Sequence, residues 1–360
     1  MVDVPLVLQA WPRTGYAVAS GHSGRGLEVH PTAADHAAST NRCSVLAMKF
    51  CATWIVCGVL SFSGVASAGP VSEVRGLIAR GQGAEARQWI ERERAQAGVH
   101  PELLEAMSWI ARGDLALKNY DAAERYAEQT YALLQPLLQT QKIDADRHLP
   151  IALGAVLEVQ AQALAARGER GRAVALLRRE IAKYEGTSIV MRLQKNLNLL
   201  TMEGKLAPEV DVQSYWGPRP PRLSALRGKT VLLFFWADWC GDCKAQAPTI
   251  AQLQSQFATS GLVVLAPTQI YGVELGKNDA PPADDVQRVQ AVWQEAYAPL
   301  AGTPVPLSAG NFRSYGASTV PTLVLISPKG EVVMYHPGRM PYDQLATRVT
   351  ATLRTPPAKK

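Results

Sequence analysis

Trp236-Ala237-Asp238-Trp239-Cys240-Gly241-Asp242-Cys243-Lys244 follows the apolar run from Val231 to Phe235 and decides the fold of the second half of this chain. The run predicts a buried strand, and the two cysteines stand where that strand turns into a helix. A helix N-terminus has unpaired backbone N–H groups and partial positive charge, so it stabilises a thiolate. Cys240 occupies that position, and a lowered thiol pKa makes a cysteine nucleophilic near neutral pH.

A second thiol lies one helical turn further on, at Cys243. It can attack the mixed disulfide that Cys240 forms with a partner, and so release that partner. The spacing therefore predicts thiol–disulfide exchange, with Cys240 as the nucleophile and Cys243 as the resolving thiol. The alternative for a C-x-x-C motif is half of a zinc site, which needs four ligands. No second cysteine pair follows in the sequence, so we expect no metal.

Further motifs follow in a fixed order: Pro248, eight residues after Cys240, then Thr319-Val320-Pro321-Thr322, then Gly338. With them, residues 211 to 355 resemble the thioredoxin superfamily, and within it the TlpA/ResA-like extracytoplasmic branch. The resemblance implies a thioredoxin-like three-layer α/β sandwich over residues 224–355. Its expected elements are strand 231–237, helix 241–258, strand 261–267, helix 284–298, strands 322–327 and 331–336, and helix 341–354.

The resemblance also implies roles for residues around the cysteines. Trp239 would cover the disulfide on one side, and Gly241 and Asp242 separate the two thiols. Pro321 would lie against Cys240 with a cis peptide bond before it, leaving the backbone of Val320 to pair with an incoming peptide strand. The expected partners are proteins with thiols or disulfides, such as apocytochromes, and a membrane-bound electron donor. No cofactor beyond the redox-active disulfide is expected.

Two positions depart from the thioredoxin pattern. Asp242 stands where thioredoxins commonly have proline, and a carboxylate there is expected to raise the pKa of the Cys240 thiol. A less stable thiolate disfavours the reduced form, which favours a reductase; the alternative is that Asp242 caps the helix. Phe234 stands where thioredoxins have a buried aspartate that handles the proton of the resolving thiol. Glu274 is the candidate replacement, with an exposed loop glutamate as the alternative.

The first half of the chain has a different character. Residues 70–205 have apolar residues at helical spacing and almost no strand signals, which predicts an all-α domain. A faint repeat of apolar helix end, polar turn and alanine recurs at Ala86, Ala123 and Ala173, and it resembles tetratricopeptide (TPR) helix pairs. Such a TPR-like domain either docks a partner protein or positions or dimerises the redox domain. Residues 206–223 contain four prolines and predict a Pro-rich linker.

The N-terminal segments of the sequence indicate whether the protein is exported. Residues 48–68 combine a basic start, an apolar run and the small-x-small ending Ala66-Ser67-Ala68, which predicts a signal peptide. An inner-membrane anchor is the alternative, since the run is near the lower length limit for a spanning helix. Residues 1–47 are predicted to be a non-native or disordered extension. Either arrangement predicts a periplasmic or extracytoplasmic protein, and only the C-x-x-C cysteines follow the cleavage site.

The bulk composition narrows the function classes. Of the 360 residues, 47% are hydrophobic and 19% are charged, which is typical of a packed globular protein. The net charge of +6 includes no basic run interleaved with aromatic residues, so no nucleic-acid partner is expected. Three functions remain: a disulfide reductase, a disulfide-forming oxidase, and a helical adaptor with an auxiliary redox domain.

Overall fold

The computed structural model describes residues 69–271 and 282–354. The predictions for residues 1–47, for residues 48–68 and for Glu274 lie outside the described residues. Within them, the buried hydrophobic side chains form two clusters, one in the helical half and one in the α/β half. The predicted order, a helical first half followed by a thioredoxin-like α/β half, is confirmed.

The helical half runs from residue 70 to residue 201. Its helices α1 to α7 are Pro70–Ala79, Gly83–Ala97, Pro101–Ala116, Tyr120–Thr140, His148–Ala166, Arg170–Lys183 and Val190–Thr201. Helix α3 packs against α1, α4 and α5, so it is central to this half. Among the described helices, α5 alone is long and apolar enough to cross a membrane, and most of it is buried among its neighbours.

The three repeats seen in the sequence fold alike. The turns before α2, α4 and α6 each contain a residue with left-handed backbone, at Gly81, Lys118 and Gly168. In each turn the next N–H donates to a carbonyl oxygen five residues earlier, at 2.9 Å, which is a typical helix ending. The repeated alanines, Ala86, Ala123 and Ala173, are fully buried. Their small side chains leave room for the neighbouring helix at the same place in each repeat.

The α/β half contains a four-stranded sheet made of β2 Thr230–Phe235, β3 Leu262–Leu265, β5 Thr322–Ile326 and β6 Val332–Pro337. Within the described residues, the order of its strands is β3-β2-β5-β6. Strand β2 is parallel to β3 and antiparallel to β5, which in turn is antiparallel to β6. All six residues of β2 are buried, as its unbroken apolar sequence requires for a strand covered on both faces. The longer helices of this half are α8 Gly241–Phe257, α9 Ala283–Ala296 and α11 Tyr342–Leu353.

Two short strands and one short α-helix are not among the elements that the sequence predicts. Strands β1 (Tyr215–Trp216) and β4 (Val305–Pro306) pair with each other across about ninety residues of sequence. Two-residue strands have no periodicity, and the proline in β4 argues against a strand at that position. Helix α10 (Ala309–Tyr315) has only seven residues and ends at Gly316, so its apolar pattern was too short to recognise.

The end of the helical half is joined to the sheet by backbone hydrogen bonds. Gly204 N–H donates to Val332 O at 2.8 Å, Val332 N–H donates to Lys205 O at 2.8 Å, and Ala207 N–H donates to Gly330 O at 2.9 Å. The chain after α7 therefore runs along the edge strand β6. A side-chain bond strengthens this junction, since Asn198 Nδ2 on α7 donates to Tyr315 O on α10 at 2.8 Å.

Candidate redox site

The two cysteines lie at the N-terminus of α8 and form a disulfide. Cys240 is the N-cap residue, with extended backbone, and its Sγ accepts a hydrogen bond from Cys243 N–H at 3.0 Å. The sulfur of Cys240 therefore sits where the helix has unpaired donors and partial positive charge. Both cysteines are buried, at 2% exposure for Cys240 and none for Cys243.

The loop before β5 meets the disulfide from the other side. The Val320–Pro321 peptide bond is cis, and Val320 O lies 3.5 Å from Cys240 Sγ, although 80 residues separate them in sequence. Pro321 O accepts a hydrogen bond from Gly338 N–H at 2.7 Å. The fold thus brings together Cys240, Val320, Pro321 and Gly338, which the sequence singled out separately.

The two tryptophans of the motif have different environments. Trp239 is 49% exposed, and its ring meets the ring of Tyr271 edge-on at 5.5 Å between centroids. Trp236 is fully buried and its Nε1 donates to Ala266 O at 3.0 Å. Trp236 is therefore a core residue, whereas Trp239 presents an apolar surface beside the nucleophile.

Asp242 has a cationic neighbour that the sequence did not reveal. Arg339 Nη1 lies 3.9 Å from Asp242 Oδ1, and both side chains are partly exposed. This arginine follows Gly338 at the end of β6, so only the fold places it beside the C-x-x-C motif. Its charge opposes that of Asp242, which weakens the effect of this carboxylate on the thiols.

The remaining positions around the cysteines include core residues as well as residues of the redox site. Pro248 lies inside α8, two turns after the cysteines. Phe234 is fully buried against the ring of Tyr297, so no carboxylate occupies its place. A carboxylate does occur in the turn itself, because Asp238 is only 6% exposed and pairs through Oδ2 with Arg288. Asp238 was missed as a candidate although it belongs to the motif, since an aspartate in a turn is ordinarily exposed.

The described residues include no group of three or more His, Cys, Asp or Glu side chains placed to hold a metal ion.

Comparisons with known proteins agree with this geometry. A thioredoxin-like domain family matches residues 222–352. The thiol-disulfide oxidoreductase ResA of Bacillus subtilis is 31% identical over 140 residues, which cover 38% of this chain and 69% of that protein. The chain belongs to the thioredoxin-like thiol–disulfide oxidoreductases. The thioredoxin-like protein YneN of Bacillus subtilis is 25% identical over 147 residues, covering 41% of this chain and 78% of YneN.

A solved structure adds to these relatives. The exposed lipoprotein thioredoxin Etrx1 of Streptococcus pneumoniae has 27% sequence identity, covers 36% of this chain and 90% of its own, and superposes with a TM-score of 0.30. The predicted resemblance and enzyme class are confirmed by the family match and by ResA. The helical half, residues 70–201, lies outside the matched segment.

Proposed function

We propose that this protein is an exported reductase of disulfides in other proteins, acting through a mixed disulfide on Cys240. The observation that carries this proposal is the position of Cys240 Sγ at the N-terminus of α8, with Val320 O 3.5 Å away. A thiolate at such a position is stabilised, and an adjacent backbone edge can align an extended substrate.

The reaction needs only the cysteine pair. In the dithiol form, the Cys240 thiolate attacks a substrate disulfide, and one substrate sulfur leaves as a thiolate. The Cys243 thiolate then attacks Cys240 Sγ, which forms the internal disulfide and releases the second substrate thiolate. The substrate gains two electrons, so a donor must return two electrons to the Cys240–Cys243 disulfide. We propose a membrane-bound donor and no further cofactor.

The substrate is proposed to be a protein segment in extended conformation. The backbone of Val320 would pair with this segment beside Cys240, as a strand added to an edge does. The exposed ring of Trp239 would pack against its apolar side chains. Cys240 is itself almost fully buried, and the substrate sulfur would reach it beside the exposed ring of Trp239. Disulfides of apocytochromes or of other envelope proteins fit this description.

Export is proposed from the sequence. Residues 48–68 have the pattern of a signal peptide, and the only cysteines after them are the redox pair. N-terminal sequencing of the exported protein tests this: a start after Ala68 supports a cleaved signal. A start upstream of residue 48 would instead support an inner-membrane anchor.

The direction of the reaction is proposed from Asp242. Its carboxylate follows Cys240 by two residues and opposes the negative charge of the thiolate, which favours the disulfide and makes the dithiol a stronger reductant. Arg339 weakens this effect without removing it, because the ion pair spans 3.9 Å at the surface.

The equilibrium with glutathione measures the direction. A reduction potential near that of thioredoxin, about −270 mV, indicates a reductase, whereas about −120 mV indicates an oxidase. We expect a value near the first. Replacing Asp242 by Asn should shift the equilibrium towards the dithiol, and the matched control Asp343→Asn on α11 should not. An Asp242→Asn variant with an unchanged equilibrium would remove the argument for direction.

The substrate class is tested by trapping. The Cys243→Ala variant retains the nucleophile but cannot resolve its mixed disulfides, so it should accumulate covalent adducts in the cell envelope. The Cys240→Ala variant is the control and should trap nothing by this route. If neither variant forms adducts with envelope proteins, the proposed substrate class is wrong.

A second candidate role concerns the helical half. Its repeats and its firm junction with β6 favour either a docking surface for a partner protein or a support for the redox half. Crosslinking of the full chain through residues on α2, α4 or α6 would distinguish these roles, because a support gives no specific product.

A further inference from the structure

Asp238 is a buried carboxylate that the reaction described above does not use. It lies between β2 and α8 in the turn that leads to Cys240, and it is 6% exposed. Its Oδ2 pairs with Nη1 of Arg288 on α9, whereas its Oδ1 is buried and has no hydrogen-bond partner among the described residues. A buried polar atom without a hydrogen-bond partner destabilises the folded state, so the presence of this carboxylate indicates a functional role.

The negative charge of Asp238 acts on the neighbouring side chain of Tyr297. Burial raises the pKa of Tyr297 above its ordinary value, and the negative charge of Asp238 raises it further. The hydroxyl of Tyr297 donates to Ala237 O at 2.8 Å, so this side chain touches the same turn. The field of the carboxylate therefore reaches the backbone that carries the cysteines.

Chain geometry places the nucleophile within the same field. Only Trp239 lies between Asp238 and Cys240 in sequence, so their Cα atoms lie at most about 7 Å apart. Cys240 N–H also donates to Ala237 O at 3.2 Å, which folds the turn back on itself. Both side chains are buried, and charges interact more strongly in a buried site than in water.

The cation on α9 reduces this field. Burial alone would lower the pKa of Arg288, but the hydrogen bond and the charge of Asp238 outweigh burial and raise it. Nη2 of the same guanidinium lies 3.4 Å from Asp285 Oδ1, and the side chain is 49% exposed. Arg288 is therefore shared between a buried carboxylate and a surface carboxylate, and it neutralises Asp238 only in part.

We propose that Asp238 and Arg288 together set the reducing strength of the Cys240–Cys243 pair. The buried carboxylate opposes the Cys240 thiolate and favours the disulfide, while the guanidinium limits that effect. Asp238 acts through Cys240 and is a positioning residue. The proposal rests on Cys240 as the nucleophile, and it deepens the proposed function by naming what tunes the site. It differs from the effect of Asp242 because Asp238 is shielded from solvent, so salt screens it much less.

The test uses two substitutions that should change the redox equilibrium constant in opposite directions. The measured equilibrium is that of one protein disulfide and two glutathione thiols with one protein dithiol and one glutathione disulfide. Asp238→Asn removes the buried charge and should raise the equilibrium constant about tenfold, which corresponds to about 30 mV. Arg288→Gln leaves the carboxylate uncompensated and should lower the constant at least about threefold. The rate of Cys240 alkylation against pH should show the thiol pKa falling in the first variant and rising in the second.

Both substitutions break the same ion pair, so a purely structural role would move the two constants in the same direction. That outcome, or no change in either variant, overturns the proposal. Asp284→Asn is the matched control, since it removes an exposed carboxylate of α9 that does not belong to this pair and should change little. If Asp238→Asn does not fold, the decrease in Arg288→Gln and a return towards the wild-type constant in Arg288→Lys still decide.

The wild-type constant is read in the same experiment. An oxidising wild-type value would contradict the proposed reductase while leaving the comparison of the two variants valid. A failure of the proposed function is therefore distinguishable from a failure of this inference.

Discussion

In the helical half, the carboxylate of Glu158 is buried with partners on both oxygens, whereas Asp238 in the redox half has a partner on one. Glu158 Oε1 accepts from Lys195 Nζ at 3.1 Å, and Oε2 accepts from Arg192 Nε at 2.7 Å. Asp238 Oδ1 has no partner among the described residues. A carboxylate bonded on both sides helps to hold helices together, but one left partly unpaired acts on its surroundings.

Buried charges therefore have different roles in the two halves: folding stability in the helical half and thiol chemistry in the redox half. The polar contacts of Glu158 join α5 to α7 and stabilise the folded helical half. The polar contacts beside the disulfide affect the stability of the Cys240 thiolate. The core of the redox half is instead formed by apolar side chains. Substitutions in the two regions should therefore change different measurements.

The largest effect is expected at Glu158. Glu158→Gln leaves the ammonium of Lys195, which is 5% exposed, without its carboxylate. Removing one partner of a buried ion pair costs about 3–5 kcal/mol, and urea unfolding of the full chain should show this loss. The glutathione equilibrium of the folded variant should be unchanged. The control is Asp121→Asn, whose side chain is 78% exposed and whose loss should not be measurable.

The lowered pKa of Glu158 predicts that part of the free energy of unfolding is lost in acid. Burial alone would raise the pKa of Glu158, but Lys195, Arg192 and Arg112 outweigh burial and lower it below the ordinary value. A depressed folded-state pKa contributes stability above the unfolded pKa, about 4.3, which is lost as pH falls towards the folded value. Unfolding measured from pH 6 to pH 3 should show a smaller loss in Glu158→Gln than in the wild type. Equal slopes would contradict a stabilising role for this carboxylate.

An intermediate effect is expected at Gly316, where the two halves meet. Its φ of 58° is left-handed, and a Cβ there would lie 2.9 Å from Lys195 N on α7. Gly316→Ala should destabilise the chain by about 2–3 kcal/mol, because the backbone of α7 cannot move away cheaply. Since Val320 follows four residues later, disulfide exchange should also slow.

The matched control for this junction is Gly302→Ala. Gly302 also has a left-handed φ, of 82°, but an added Cβ would meet nothing within 4 Å. It should cost about 1 kcal/mol from backbone strain alone, without slowing exchange. If the two variants behave alike, the contact between α7 and α10 has no influence on the redox site.

The smallest effect is expected at Arg339. Arg339→Gln removes the cation beside Asp242, so the carboxylate opposes the Cys240 thiolate more fully and the thiol pKa should rise. The rise should stay below about half a pH unit, because exposed ion pairs are weak. Alkylation of the reduced protein against pH measures it, with Arg354→Gln as the control. A fall in the pKa would show that Arg339 acts on the thiols by another route.

Several elements could be predicted because their signals are local. The run from Val231 to Phe235, the helix after Cys240 and the strand before Ser327 were expected within about two residues of where they lie. The repeats at Ala86, Ala123 and Ala173 were also visible, because a helix ending and a small buried residue recur together. The short elements β1, β4 and α10 were missed, since their stability depends on partners that lie far away in sequence.

The site was predictable to the same extent. The sequence pointed to Cys240, Cys243, Val320 and Pro321 because each belongs to a recognisable motif. It did not point to Arg288 or Arg339, because an arginine on a helix or after a strand has the same local pattern whatever it faces. Asp238 was read as part of the motif without a role, since neither its burial nor its single partner is visible in one dimension.

The sequence by itself determined the redox pair, the strand-to-helix turn that holds it, and the helical character of the first half. These features depend on backbone conformation, hydrophobic periodicity and capping, which act over a few residues. Only the tertiary structure decided which charges surround the thiols, how Val320 meets Cys240, and how α7 supports α10. Those contacts join residues 50 to 120 positions apart, and their strength depends on distance and burial, which packing alone sets.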